Sequence, residues 1–186
     1  MHEFLRVTCL FALGFIASAD AEHPADSVLA QTFMRKAWDA TDQGGKLHIE
    51  RRWPGALPAL RLIADNGNVD LIVLSGSSEN TLALAPGHLP SSALPGETGN
   101  TVITGHRDTY FRFLADLEID DALAVETPAG QLHLYRVIGI DVVDARRSSV
   151  VLDTPRPMLC LVTAYPFDPA ERADSLRYVV TARMLF

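Results

Sequence analysis

Two residues that could do chemistry stand at unusual places in this sequence. His106 directly follows the apolar segment 101–105, at the point where a predicted strand ends. Imidazole exchanges protons near neutral pH, so a ring that is rooted in a strand and accessible from a loop suits acid–base chemistry. Arg177 lies within the apolar run 176–180, and because a buried unpaired charge is costly, its guanidinium should face solvent or an anion. Taken alone, such a His is more typical of a surface or capping residue, and such an Arg of a solvated face.

The elements that must position these residues are mostly predicted strands. Short segments rich in Val, Leu, Ile and Tyr alternate with turns marked by Gly, Pro and Asn. An amphipathic helix is predicted before them over residues 27–38, and one or two helical turns over 110–114. The predicted strands are residues 61–64, 70–74, 101–104, 122–127, 131–143, 158–163 and 176–184. This pattern favours one mainly β domain, an antiparallel barrel or sandwich.

The composition excludes several classes of protein. The chain has 186 residues, of which 48% are hydrophobic, and its net charge is −7. The apolar fraction is too high for a disordered chain, and without a basic surplus we expect no nucleic-acid partner. Two cysteines, Cys9 and Cys160, are too few for a disulfide framework or a Cys-rich zinc site.

A metal-dependent hydrolase is the rival interpretation from another class. Its ligands would be His88, His106, Asp108 and His133, but their spacing matches no metal signature. We therefore expect neither a metal nor a cofactor.

The N-terminus is typical of an exported protein. Residues 7–17 are almost continuously apolar, and Ala17-Ser18-Ala19 follows as a pattern that signal peptidases cleave. The apolar run is shorter than the roughly 20 residues that cross a bilayer as a helix. We predict a signal peptide or short membrane anchor over residues 1–19, a helical extension over 20–56 and a barrel domain over 57–186. The protein would be periplasmic, or anchored to the outer face of the cytoplasmic membrane.

Three segments in this order resemble a known family. The sequence GHRDTYFRFL begins at Gly105, LVTAYPF begins at Leu161, and RYVV begins at Arg177. Together they resemble the core of the sortases, with similarity to the proteobacterial branch, over roughly residues 57–185. The resemblance implies a closed, mostly antiparallel β-barrel, a sulfur nucleophile, a catalytic His and a catalytic Arg.

When the family's functional residues are carried over by position, the catalytic His and Arg are found in this sequence and the nucleophile is not. His106 matches the catalytic His and Arg177 the catalytic Arg, with Thr163 and Asp108 as candidates for supporting contacts. Sortases have their nucleophilic Cys directly after the residue that corresponds to Thr163, but Ala164 is found here. Because a methyl group cannot form a thioester, we predict that the chain is inactive.

The activity implied for an intact site is transpeptidation. Such an enzyme cleaves the LPxTG-like sorting signal of a secreted protein and transfers the acyl group to an amine. Substrate recognition is expected at the apolar barrel wall and the loop of residues 143–157. The membrane would be a further partner if the N-terminal segment stays uncleaved.

Two explanations of Ala164 stay open at this point. One is a deliberate Cys→Ala change, and the other is a natural sortase-like module that binds sorting peptides without cutting them. Cys160 is not expected to replace the missing thiol. It shares a strand face with Ala164 but lies four residues away, about 13 Å along an extended chain, and is expected to be a small core residue.

Overall fold

The computed structural model describes residues 24–40, 53, 56–64, 67–168, 171 and 175–185. The predicted leader, residues 1–19, lies outside these residues. So does part of the predicted helical extension, residues 20–23, 41–52 and 54–55.

Eight strands form a closed barrel, as the sequence predicts. The strands are β1 (Pro58–Ala64), β2 (Val69–Ser75), β3 (Gly87–His88), β4 (Gly99–Thr104), β5 (Ala122–Glu126), β6 (Leu132–Asp144), β7 (Pro157–Ala164) and β8 (Leu176–Met184). Their order around the barrel is β1-β2-β3-β4-β7-β8-β6-β5. Six of the pairings are antiparallel. Pairs β2–β3 and β4–β7 are parallel, because the chain crosses over between their members.

The helices pack against the strands, and the last of them contributes Leu114 to the core inside the barrel. They are α1 (Pro24–Asp39), α2 (Glu79–Leu84) and a 3-10 helix over Arg112–Asp116. Helix α1 buries Ala30, Met34 and Trp38, which are spaced four residues apart, in a cluster with Ile72 and Leu74 of β2.

Helix α1 also completes the hydrogen bonding of β2. The Gln31 amide nitrogen donates to the carbonyl of Ile72 at 3.0 Å, and its oxygen accepts from the Ile72 N–H at 2.8 Å. The side chain therefore replaces a neighbouring strand at this position. Arg61 of β1 adds ion pairs to Asp39 of the helix and to Asp70 of β2.

Residues on alternate positions of β4, β7 and β8 pack into two separate layers. The layer inside the barrel includes Ile103, Leu159, Leu161, Val180 and Ala182. The layer outside consists of Val102, Cys160 and Val162, with Leu89, Val150, Leu152 and Val179 packed against it. The loop after β6 therefore covers part of the outer face, and that face continues towards residue 164.

Candidate functional site

The strand register brings the three predicted site positions to neighbouring strand ends. Strand β7 lies between β4 and β8 in the barrel. Thr104 at the end of β4 is level with Val162, and Ala164 at the end of β7 is opposite Arg177 near the start of β8. His106 comes two residues after Thr104.

Ala164 and Arg177 lie on the outer face of the barrel. Directly paired residues share a face, and side chains alternate along each strand. Ala164 therefore continues the outer layer two residues beyond the buried Val162, and Arg177 occupies the equivalent place two residues before Val179.

Arg177 is buried, with an exposed fraction of 4%. Its Nη1 donates to the carbonyl of Leu176 at 2.8 Å. The interpretation of Arg177 as a residue of a solvated face is therefore wrong. A guanidinium held in the sheet beside Ala164 offers fixed donors for an oxygen that acquires negative charge there.

The chain leaves the sheet beside β7 just before His106. The Gly105 N–H donates to the carbonyl of Val162 at 3.2 Å, which extends the β4–β7 ladder by one step. The carbonyl of His106 accepts from the N–H of Phe111 at 3.0 Å and so closes the turn that follows. The His106 residue is partly exposed.

Thr163 connects the two chain segments that carry positions 106 and 164. Its hydroxyl donates to the carbonyl of Gly105 at 2.7 Å, and the residue has no exposed surface. This hydrogen bond fixes the end of β7 against the residue just before His106. It is the kind of contact that the predicted supporting role of Thr163 requires.

Asp108, the other predicted supporting residue, lies at the surface. Its side chain is 57% exposed, and its carboxylate is 3.3 Å from Nε of Arg107. An ion pair with this exposure contributes little to stability.

Gly105 is a position where a side chain has no room. A Cβ at Gly105 would lie 2.9 Å from Cγ of Phe111, a ring that is completely buried. The close approach lets the chain turn directly after β4, just before His106.

Gly105→Ala is expected to destabilise the fold by about 1–3 kcal/mol, because the added methyl group overpacks the Phe111 ring. Chemical denaturation followed by circular dichroism measures this loss. Gly139→Ala is the matched control, since the nearest atoms to its Cβ lie at 3.7 and 3.8 Å. Equal losses of stability in the two variants would contradict the packing argument.

Two arginines bind the turn that follows Ala164, and sequence reasoning did not single them out. Nη1 of Arg107 donates to the carbonyl of Pro166 at 2.5 Å, and Nη1 of Arg112 donates to that of Phe167 at 3.2 Å. Both arginines fall in the first segment of the resemblance, but only the folded chain shows that they reach the second.

Three aromatic rings pack together beside the site. Tyr165 stacks on Tyr178 with ring centroids 6.0 Å apart, and Phe167 meets Tyr178 edge-on at 4.9 Å. Burial, and then the proximity of Tyr165, raise the pKa of the Tyr178 phenol. The cluster holds the turn after Ala164 against the start of β8.

The geometry gives the metal interpretation no support. Nε2 of His88 lies 3.1 Å from the hydroxyl of Ser92 and 3.2 Å from the carbonyl of Ala93, and burial lowers the pKa of this imidazole. Within the described ranges, no three His, Cys, Asp or Glu side chains gather as a metal site requires.

Cys160 belongs to the packed outer layer. Its exposed fraction is 2%, and it lies between Val102 of β4 and Thr181 of β8. The prediction that it is a small core residue agrees with this burial. Since Ala164 is two strand repeats further along, Cys160 is too far from Arg177 and His106 to take part in the same reaction step.

The predicted recognition loop lies over the same outer face. Strand β6 ends at Asp144 and β7 begins at Pro157, so the loop spans residues 145–156. It is anchored by Asn100, whose N–H donates to the carbonyl of Leu152 at 2.8 Å and whose amide donates to that of Val151 at 3.1 Å.

The comparisons with known proteins agree with this architecture. The model of the Sortase domain family matches residues 62–185. Sortase D of Bacillus subtilis (strain 168) is 32% identical over 114 residues, which cover 61% of this chain and 57% of that relative. The chain thus matches a little over half of the relative's length.

Solved structures share the fold. A sortase D5 transpeptidase of Clostridium perfringens superposes with a TM-score of 0.65 at 18% identity, over 87% of this chain and 99% of that one. Sortase A of Corynebacterium diphtheriae gives a TM-score of 0.63 at 22% identity, over 87% of this chain and 83% of its own. At these identities the structures show a common barrel, while the family model spans most of the chain. The chain belongs to the sortase family of cysteine transpeptidases.

Proposed function

We propose that the outer face at the ends of β4, β7 and β8 is the active site of a sortase-type transpeptidase, with residue 164 as the nucleophile position. The observation that carries the proposal is the register, which sets Ala164 opposite Arg177 and runs β4, followed by His106, along its other side. With a methyl group at that position, this chain is proposed to bind a sorting signal without cleaving it.

The reaction proposed for an intact site begins with a thiolate at residue 164, beside the His106 imidazolium. The sulfur attacks the carbonyl carbon of the Thr–Gly bond in an LPxTG-like peptide, and the carbonyl oxygen takes the negative charge. Arg177 donates hydrogen bonds to this oxygen or to the adjacent peptide backbone. The tetrahedral species then collapses to a thioester as the C–N bond breaks, and His106 gives its proton to the departing glycine amine.

The second half of the reaction releases the product. An amine attacks the thioester carbon, and neutral His106 accepts the proton that the amine loses. The C–S bond breaks, the thiolate is restored, and a new amide is formed. When water is the nucleophile, the product is the free acid.

Recognition of the peptide is proposed to take place in an extended conformation along the outer face. The loop 145–156 lies over this face and presents the partly buried side chains of Val150 and Leu152. Extended peptides gain affinity from main-chain hydrogen bonds and specificity from pockets for alternate side chains.

A binding module without turnover is the second candidate, and Ala164 is the observation that favours it. Ala164 is partly buried, and hydrogen bonds fix the chain on both sides of it: Thr163 binds Gly105, and two arginines bind the turn after Ala164. This arrangement is compatible with both explanations of Ala164, an engineered Cys→Ala change and a natural binding module. They differ in the expected effect of Ala164→Cys, which restores cleavage in an engineered variant and leaves a natural binding module inactive.

We propose that the protein is exported, because the apolar segment 7–17 and the Ala17-Ser18-Ala19 pattern are typical of a signal peptide. The domain would act in the periplasm or at the outer face of the cytoplasmic membrane. In the part of the chain that the structure describes, no helix is both long and apolar enough to span a bilayer.

The protein as it stands is expected to bind a fluorescent LPxTG-like peptide about tenfold or more tightly than a peptide with the same residues in scrambled order. Fluorescence anisotropy measures the affinity, and chromatography checks that the peptide stays intact. Equal affinity for both peptides would contradict binding of a sorting signal at this site.

A further inference from the structure

The chain segments that carry positions 106 and 164 are joined by more than the strand ladder. Arg107, the residue after His106, reaches across to the turn that follows β7 and donates to the carbonyl of Pro166 at 2.5 Å. Its side chain is 16% exposed, so this bond is largely shielded from water. A charged donor on a shielded carbonyl makes a stronger hydrogen bond than a neutral one.

The Arg107 guanidinium makes two contacts in different directions. While Nη1 binds the carbonyl of Pro166, Nε faces the carboxylate of Asp108 at 3.3 Å. The planar fork of an arginine can make both contacts at once with little loss of side-chain entropy, whereas a lysine ammonium is a point donor.

The contacts of Arg107 lie next to the two residues proposed to react, so they can affect the distance between them. Arg107 is adjacent to His106, and Pro166 is two residues after Ala164. A bond between these neighbours limits how far the end of β7 can move from the turn after β4. Thr163 makes the corresponding bond to Gly105 on the other side of position 164.

We propose that Arg107 is a positioning residue, which sets the separation between the His106 imidazole and the nucleophile at position 164 by holding the Pro166 carbonyl. This inference rests on the function proposed above, because it assigns no chemistry of its own to Arg107. A displacement of about 1 Å between reacting groups can reduce a rate by about 100-fold, so the loss of such a bond has kinetic consequences.

The test uses Ala164→Cys as the parent, with Arg107→Met, Arg107→Lys and Arg136→Met each added to it. Arg107→Met keeps an unbranched stem but has no donor, and Arg107→Lys keeps one donor. Arg136→Met is the matched control, since Arg136 is an exposed arginine that contacts Asp120 at 3.8 Å. For each variant, kcat and KM for an LPxTG-like peptide are measured. The pH dependence of thiol alkylation and the melting midpoint are measured alongside.

Arg107→Met is expected to lower kcat about 10- to 100-fold with little change in KM, because the groups that bind the peptide are retained. Its alkylation profile should shift to higher pH, since an imidazole further away stabilises the thiolate less. Arg107→Lys should recover part of kcat, and Arg136→Met should match the parent. A merely structural role for Arg107 would change the melting midpoint and leave the alkylation profile in place.

Two failures are distinguishable. An Ala164→Cys parent without activity would overturn the proposed function and this inference with it. An active parent whose kcat and alkylation profile are unchanged by Arg107→Met would overturn the inference alone. If Arg107→Met does not fold, Arg107→Gln, which keeps a polar side chain there, is judged by the same criterion.

Discussion

Replacing Ala164 by Cys is expected to give a protein that cleaves an LPxTG-like peptide and transfers its acyl group to an amine, whereas the chain with Ala164 is expected to do neither. The reason is positional. Residue 164 lies at the end of β7 opposite Arg177, and the chain leading from β4 into His106 runs along its other side. On the proposed function, a thiol there would act with the His106 imidazole, which favours the thiolate, and with a guanidinium that can stabilise the oxyanion. Release of a fluorescent product, with and without an added amine, measures both activities.

His106→Gln in the same Ala164→Cys protein is the control for that gain. Loss of the proton donor and acceptor should reduce the rate about 10²- to 10⁴-fold. Cys160→Ala should leave the rate unchanged, because Cys160 is buried between β4 and β8. A folded Ala164→Cys protein that binds the peptide without cleaving it would instead favour the natural binding module.

Removing the guanidinium at position 177 is expected to have the second-largest effect. In the Ala164→Cys protein, Arg177→Met should lower kcat about 10²- to 10³-fold, the range found when one donor to an oxyanion is lost. Arg177 is 4% exposed and stands opposite residue 164, so water cannot easily replace its hydrogen bonds. Stopped-flow measurement of thioester formation isolates this step from product release.

Arg183→Met is the matched control, because Arg183 lies near the other end of β8 and is exposed. Its rate should equal that of the parent. Since Arg177 is buried, the melting midpoint of each variant is recorded, and Arg177→Lys provides a cation in the same place. A folded Arg177→Met protein with unchanged kcat would remove Arg177 from the reaction.

The sequence allowed the main strands of the barrel to be predicted because their composition is strongly biased. Strand β8 was predicted with its observed bounds, Leu176–Met184, and β6 was displaced by a single residue at each end. Strand β3 and helix α2 were not predicted. β3 has two residues and α2 six, and elements this short are formed by tertiary contacts rather than by local periodicity.

The residues of the candidate site could be named from the family resemblance, but their environment could not. A lone Arg in an apolar strand gives no indication of which face it occupies. The pairing with Ala164 places Arg177 on the outer face, and the folded chain buries it there. The contacts of Thr163 with Gly105 and of Arg107 with Pro166 join residues more than 50 positions apart. Such bonds depend on how β4 and β7 are brought together, which no local pattern encodes.

The most direct test is to find where an acyl group becomes attached. The Ala164→Cys protein is mixed briefly with an LPxTG-like peptide, quenched in acid, and studied by intact-mass and peptide-mapping mass spectrometry. We predict a thioester at residue 164 that carries the peptide up to its Thr and is absent when His106→Gln is added. An adduct on Cys160, or a folded protein that binds the peptide and forms no adduct, would contradict the assignment of position 164 as the nucleophile site.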